Sequence, residues 1–383
     1  MSHTYTVMIS AGEASGDLHA ANLVKAMHKL APDTRFTGMG SDQLREAGCE
    51  LLVDCADIAV VGLWEVVKHY GKIKQALNQL IDALRQSPPD LLILVDYQEF
   101  NFRLAEKAKA RGIKVLFYIS PQVWAWRPHR VHTMAKKIDH MAVLFPFEEQ
   151  FYENAGVPCT FVGHPLVDEV KPDRSAAECY ARYQLNAEQP VVGLFPGSRK
   201  SEVARVLPIL LESAKLIQQA KPDAQFILPL ASTIALTDIQ GLLAEYPSLQ
   251  VRAIRDRSYN VMQVCNAIMT ASGTATLEIA LMGIPNTIVY KIAPLSYWIL
   301  KRMVKIADIG LENIVAEKRI VQEFIQADAK PAAIAAEICR LLDDTQYRST
   351  QIAELNKVRG KLGKEGGSAN VAKLALDMIE GRV

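Results

Sequence analysis

Short apolar runs alternate with longer segments in which apolar positions recur every three or four residues, nearly from end to end of the chain. The first run, residues 5–10, passes into a Gly/Ser loop and then into a helical period over residues 18–30. Runs at residues 91–95, 115–119 and 141–145 repeat the arrangement, each beside a helix-length segment. Alternation of this kind predicts βαβ units and a parallel sheet. After Gly163-His164-Pro165 a polar stretch, residues 168–174, interrupts the pattern, which then restarts. Residues 191–195, 226–230, 267–270 and 287–290 form a second set of strands with helices between them. The pattern therefore predicts an α/β fold of two Rossmann-like domains facing each other across a cleft. Their boundaries are read as residues 1–165 and 166–355. A helical tail over residues 356–383 is expected to pack back on a domain or a partner, with Gly366-Gly367 breaking it before a last amphipathic helix at 368–380.

Composition narrows the class without changing this picture. Of 383 residues, 50% are hydrophobic and 22% charged, which is globular. Lys and Arg total 43 against 42 Asp and Glu, a net charge of +1 that gives no bulk attraction to nucleic acid. Six scattered cysteines without a CxxC pair speak against a zinc site or a disulfide framework and for a reducing, cytoplasmic setting. No basic segment followed by an apolar one opens the chain, so no signal peptide is expected. The longest uncharged stretch, residues 258–277, is too rich in Asn, Gln, Ser and Thr for the roughly 20 apolar residues of a membrane span.

In open α/β sheets ligands bind beyond the carboxyl ends of the strands, so the loops after strands are where chemistry is expected. The first such loop, residues 11–17 (AGEASGD), offers two glycines for a tight turn and free amides at a helix start. Asp17 reads as an N-cap there, whereas Glu13 and Ser15 exceed what a plain turn needs. No GxGxxG is present, and Gly38-Met39-Gly40 is a lone GxG. The second loop, Asp96-Tyr97-Gln98-Glu99-Phe100-Asn101, puts a carboxylate at the mouth of a strand, where partial burial raises its basicity. Asp96 is thus a candidate general base, or else a helix cap or a buried charge paired with Arg. The third loop, residues 121–130, holds Trp124, Trp126, Arg127, His129 and Arg130, a surface suited to a ligand with a phosphate and an apolar body. The tryptophans equally suit an anchor onto the core.

The remaining two loops lie in the second half. Gly197-Ser198-Arg199 and Ser272-Gly273-Thr274 each join a strand to a helix start, a geometry that collects phosphate on backbone amides. Arg199 adds a bidentate clamp, and Glu278, one turn into its helix, is placed to accept hydrogen bonds from a ribose diol. No P-loop lysine follows either turn, and no HExxH or DxD pair calls for a metal, so no metal or cofactor is expected.

At these residues the chain resembles the lipid-A-disaccharide synthases, the family-19 glycosyltransferases of Gram-negative bacteria. AGEASGD (11–17), SPQVWAWRPHRV (120–131), FPFE (145–148), FVGHPLVD (161–168), PGSRKSEV (196–203), ASGTATLE (271–278) and NIVAEKRIVQEFIQ (313–326) carry the likeness in order. The resemblance implies a GT-B fold with C-terminal helices. It places acceptor and catalytic loops in the first half and the UDP-sugar site in the second. It implies inverting transfer from UDP-2,3-diacylglucosamine to 2,3-diacylglucosamine 1-phosphate (lipid X), giving a β-1,6 disaccharide and UDP. Asp96 matches the family's strand-end aspartate and becomes the candidate base, with Glu13 its rival. Ser15, Asn101, Trp124, Trp126, Arg127 and Arg130 are assigned to the acceptor and its phosphate. Asn313, Glu323 and Gln326 join the UDP-sugar set, although they equally suit helix capping. Where the family often has Pro, this chain has Glu312, so that loop is expected to differ.

A helical stripe of Val66, Tyr70, Ile73, Leu77, Leu80 and Leu84 carries extra apolar neighbours, Leu63, Trp64 and Val67, and flanking lysines. The stripe itself reads as core. The surplus, with residues 297–302, fits a membrane-surface role at the inner face of the inner membrane. A homodimer is compatible with this reading. The alternatives within the fold are a UDP-N-acetylglucosamine 2-epimerase and a peptidoglycan glycosyltransferase, neither of which needs VWAWR beside a lysine-flanked apolar helix. A non-catalytic nucleotide-sugar binder would not need a base at Asp96.

Overall fold

The computed structural model describes residues 4–57, 63–126, 128–294, 297–298 and 308–383, the side chains of Ala14, Asp57, residues 63–70, Trp126 and Pro128 excepted. Its contacts divide the chain into two units, Met1–Pro165 with Leu362–Val383, and Leu166–Lys361.

The first unit is built on strands β1 (Thr6–Ala11), β2 (Arg35–Gly40), β3 (Cys49–Asp54), β4 (Leu91–Val95), β5 (Lys114–Tyr118), β6 (His140–Val143) and β7 (Cys159–Phe161). They pair in parallel in the order β3-β2-β1-β4-β5-β6-β7. The strands of the middle are mostly apolar and, Lys114 apart, buried, as in a parallel sheet covered by helices on both faces. The helix Leu63–Gln86 gives Ala76, Leu80, Ile81 and Leu84 to that core. The second unit repeats the plan with β8 (Val191–Phe195), β9 (Gln225–Pro229), β10 (Val251–Ile254), β11 (Ala267–Ala271), β12 (Asn286–Tyr290) and β13 (Glu323–Ile325). Its parallel order is β10-β9-β8-β11-β12-β13. Each sheet reverses its winding once, at β1/β4 and at β8/β11, and a doubly wound sheet opens its ligand crevice at that reversal.

The chain closes by returning to the first unit. The His164 amide donates to the Leu362 carbonyl, the Asn370 amide to Val162, and the Lys114 ammonium to the Met378 carbonyl at the end of the helix Gly367–Ile379.

Three local readings change. Strands β2, β3, β7, β10 and β13 lie toward or at sheet edges, and their half-exposed or glycine-containing sequences hide the apolar run that marks a central strand. Residues 313–326 are not one capped helix but a short helix, Leu311–Ala316, followed by the edge strand β13. Asp17 does not cap its own helix. It sits inside Ala14–Leu30, buried, and accepts from the Ser41 and Gln43 amides at the start of the helix Asp42–Glu46.

The lone GxG also finds its reason in packing. Gly38 has φ +150°, and a Cβ there would stand 1.8 Å from the Ile9 carbonyl oxygen. We expect Gly38→Ala to destabilise the first unit by about 2 kcal/mol or more. Gly241→Ala, in open space inside the helix Leu236–Ala244, should stabilise the second by up to about 1 kcal/mol. Urea unfolding of both variants checks this; equal effects would contradict the close approach.

Candidate active site

At the β1/β4 reversal one side chain joins the two strands. Asn101 is fully buried; its amide donates to the carbonyls of Ser10, Val95 and, at 2.7 Å, Asp96, while its own oxygen accepts from the Ser10 hydroxyl. Every polar atom of the Asn101 side chain, expected at the acceptor, is thus engaged inside the protein. Beyond the clamp the backbone is strained: Asp96 has φ +50° and Tyr97 φ +43°. Two successive non-glycine residues in the left-handed region persist only where the surroundings impose them, and such residues cluster at functional sites. The Tyr97 ring rests on Gly12, where a Cβ would lie 2.3 Å from it, so the AGEASGD turn and the Asp96 turn are fitted to each other. Burial pushes the Asp96 carboxyl above its ordinary value, against the Tyr97 amide, which draws it down.

Asp96 and Glu13 line a cavity of about 410 Å³ together with Ile73, Lys74, Leu77, Tyr97, Gln98, Glu99, Phe100 and Arg103. The other acceptor-side candidates do not gather there. Ser15 is exposed on the first turn of its helix. Arg130 pairs with Glu99 at the rim. Trp124 donates its indole N–H to Glu148 at 3.0 Å and meets the Phe147 ring edge-on, so it anchors its loop to the protein. Arg127 and the side chain of Trp126 lie outside the described residues, as do the side chains of residues 63–70.

Glu148 was not singled out by sequence, yet it organises the third loop. It is buried and accepts from the Ser120 hydroxyl, the Trp124 indole and the Leu144 and Phe145 amides. The loop it holds starts from Ile119, a β-branched residue at φ +69°. The signal available in FPFE was a proline at the first helical position with a glutamate two residues on.

In the second unit a cavity of about 520 Å³ opens at the β8/β11 reversal. Gly197, Ser198 and Arg199 form one wall, Ser272, Gly273, Thr274 and Glu278 another. Gly197 has φ +104°, and a Cβ there would collide with the Glu202 carboxylate, which accepts from the Ser198 amide. Arg199 ends the turn as N-cap of the helix Lys200–Ala220, and Thr274 begins Thr274–Met282. Two helix N-termini thus open at this end of the sheet, where their free amides and dipoles favour an anion. Glu278 accepts from the Tyr259 hydroxyl at 3.1 Å, and burial raises its pKa. Asp256, also on the wall, is the opposite case. Burial alone would raise it, but the Arg257 amide, the Tyr183 hydroxyl, Arg174 and Asn260 together draw it down to about 2.

Asn313 and Glu323 do not line this cavity. Asn313 accepts from the Ile320 and Val321 amides and donates to Val321 and Glu323; Glu323 accepts from the Ile309 and Gly310 amides. They hold the segment whose Ile309 carbonyl accepts from Ser272, so they position the turn rather than touch what it binds. Gln326, at φ +53°, donates to the Ile292 carbonyl. Glu312 is fully buried, and burial raises its carboxyl to about 8.

A family model described as lipid-A-disaccharide synthetase matches residues 7–376 of the chain. A lipid-A-disaccharide synthase of Geobacter sulfurreducens is 52% identical over 376 residues, 98% of each chain. Among solved structures, a putative UDP-N-acetylglucosamine 2-epimerase from Listeria monocytogenes superposes with TM-score 0.68 at 12% identity, covering 100% of this chain and 98% of that one. The glycotransferase of kitacinnamycin superposes with TM-score 0.62 at 15% identity, covering 98% and 100%. At these identities the likeness establishes the fold, two Rossmann-like domains of the GT-B class.

Burial raises Glu148 from 4.5 to about 7 against the donors that lower it, so the folded protein holds this proton more tightly than the unfolded chain. Stability contributed by the protonated form is therefore complete below about pH 4.5 and is lost as pH rises towards about 7. Glu148→Gln lacks this titration. Over that window the unfolding free energy of the wild type should fall relative to the variant by up to about 3 kcal/mol. Urea unfolding of both proteins across the window measures it, and a constant difference would contradict the buried, nearly dry carboxyl.

Proposed function

The chain belongs to the lipid-A-disaccharide synthetase family, and from that premise we propose how its residues divide the reaction. The enzyme is an inverting hexosyltransferase: it joins UDP-2,3-diacylglucosamine to 2,3-diacylglucosamine 1-phosphate, giving the β-1,6 disaccharide 1-phosphate and UDP. Inversion requires one displacement. The acceptor 6-oxygen forms a bond to the anomeric carbon, the bond to UDP breaks, its electron pair stays on the diphosphate, and the hydroxyl proton goes to a base.

Asp96 is that base. The observation that carries this is its position: a half-buried carboxylate, strained and held by its own backbone carbonyl, in the lining of an open cavity. A primary alcohol has a pKa far above 7, so its proton must leave as the bond forms, and a desolvated carboxylate of raised basicity suits that transfer. Glu13 lines the same cavity and is exposed, which suits it to hydrogen-bond the acceptor sugar.

The leaving diphosphate is received in the larger cavity of the second unit. Arg199 and the helix starts beside Ser198 and Thr274 neutralise the charge that develops on it, and Glu278, steadied by Tyr259, takes the ribose hydroxyls. Both substrates carry acyl chains, so the enzyme works at a membrane surface. No helix among the described residues is long and apolar enough to cross a membrane, and Trp298 is 57% exposed next to Lys301 and Arg302 in sequence. That arrangement supports peripheral attachment.

Asp96→Asn keeps the shape and removes the base, so kcat should fall by about 10² to 10⁴-fold with UDP affinity nearly unchanged. Glu13→Gln should cost less than Asp96→Asn; the reverse order in steady-state assays would exchange the two roles. Arg199→Ala should weaken UDP binding about tenfold in calorimetry, and chelation of divalent metals should leave turnover intact. Activity lost to EDTA and restored by Mg²⁺ would overturn the charge-neutralising role given to Arg199 and the helix starts. Trp298→Ser should lower the fraction bound to anionic liposomes in flotation without changing the melting curve; unchanged binding would remove this residue from the membrane face.

A further inference from the structure

The cavity at Asp96 has a composition that the transfer reaction alone does not explain. Beside the carboxylates of Asp96, Glu13 and Glu99 it carries two cations from different helices, Lys74 of Leu63–Gln86 and Arg103 of Gln98–Lys109. Both side chains are exposed, and among the described residues neither is in an ion pair. Arg130, by contrast, is neutralised by Glu99. Apolar residues share the lining: Ile73 and Leu77, one helical turn apart, and Phe100 of the neighbouring helix.

A base, a pair of unneutralised cations and an aliphatic wall in one cavity are what a phosphorylated, acylated sugar presents in complement. In 2,3-diacylglucosamine 1-phosphate, C1 and C5 flank the ring oxygen and C6 hangs from C5, so the phosphate and the attacking hydroxyl lie on either side of that oxygen. The acylated C2 and C3 occupy the opposite edge. We propose that Lys74 and Arg103 hold the 1-phosphate of the acceptor, with Ile73, Leu77 and Phe100 covering the first methylenes of its acyl chains. This rests on the reading of Asp96 as the base and names the recognition chemistry of the same cavity. A monoester phosphate between an ammonium and a guanidinium is a charge-assisted arrangement. It fixes the sugar so that its 6-hydroxyl faces Asp96.

The test compares two acceptors, 2,3-diacylglucosamine 1-phosphate and the same molecule without its phosphate, in detergent micelles at fixed UDP-sugar. Wild type should prefer the phosphorylated acceptor in kcat/KM. Lys74→Ala and Arg103→Ala should each lower kcat/KM for the phosphorylated acceptor about 10- to 100-fold, mostly through KM. Both should leave the dephosphorylated acceptor and the donor KM nearly untouched, so the preference collapses in the double variant. Arg103→Lys should recover part of it. Both residues are exposed, so melting curves should match wild type. The proposal is overturned if wild type does not discriminate between the acceptors, if the double variant keeps its preference, or if it loses both acceptors equally. Failure of the base reading is separately visible: Asp96→Asn would then keep its turnover while phosphate discrimination stays as described.

Discussion

One buried amide fixes the strand ends around Asp96 in the first unit. Asn101 bridges β1 and β4 at the point where the sheet reverses its winding, holding the carbonyls of Ser10, Val95 and Asp96 together. An unpaired buried carbonyl is costly, and the Asn101 amide gives these three a donor. The amide removes that cost only if the chain turns sharply at Asp96 and Tyr97, into the left-handed conformation observed there. The strain in those two residues is therefore maintained by the core. Removing the clamp would release it, and with it the direction of the Asp96 carboxylate.

The second unit solves the same problem with different residues. Its binding turn follows β11, and the Ser272 hydroxyl reaches the Ile309 carbonyl of a segment that Glu323 and Asn313 hold from behind. Buried polar side chains here act as internal scaffolding for exposed turns, which lets Gly197, Gly273 and their helix starts remain open for an anion. Glu148 does likewise for the tryptophan loop. In each case a fully engaged side chain stands behind an open one.

This division also explains what the sequence made legible. Central strands were readable because burial on both faces demands uninterrupted apolar runs such as Leu91–Val95, and the loops after them were readable because Gly, Ser and charged residues break those runs. Edge strands such as Val251–Ile254 escaped because only part of each residue is buried. Among the candidate residues, those facing a cavity and those holding it from behind look alike in sequence. Asn101 and Asn313 carry the same side chain as a ligand-binding asparagine, and only their burial and complete hydrogen bonding assign them to the scaffold. Lys74 reads in the sequence as one of the lysines flanking an apolar helix and Arg103 is not singled out there, because surface cations at helical spacing look like solvated faces until a cavity is found beside them.

The Asn101 clamp governs the chemistry without touching the substrates if it acts only through the direction of Asp96. The direct measurement is the pH profile of kcat in Asn101→Leu, a near-isosteric change that cannot donate to the Asp96 carbonyl, with rates normalised to the folded fraction from urea unfolding. The account predicts a fall of about 10²-fold or more in kcat, a displaced acid limb, and KM values for both substrates close to those of wild type. A folded Asn101→Leu protein with unchanged kcat and an unchanged acid limb would contradict it.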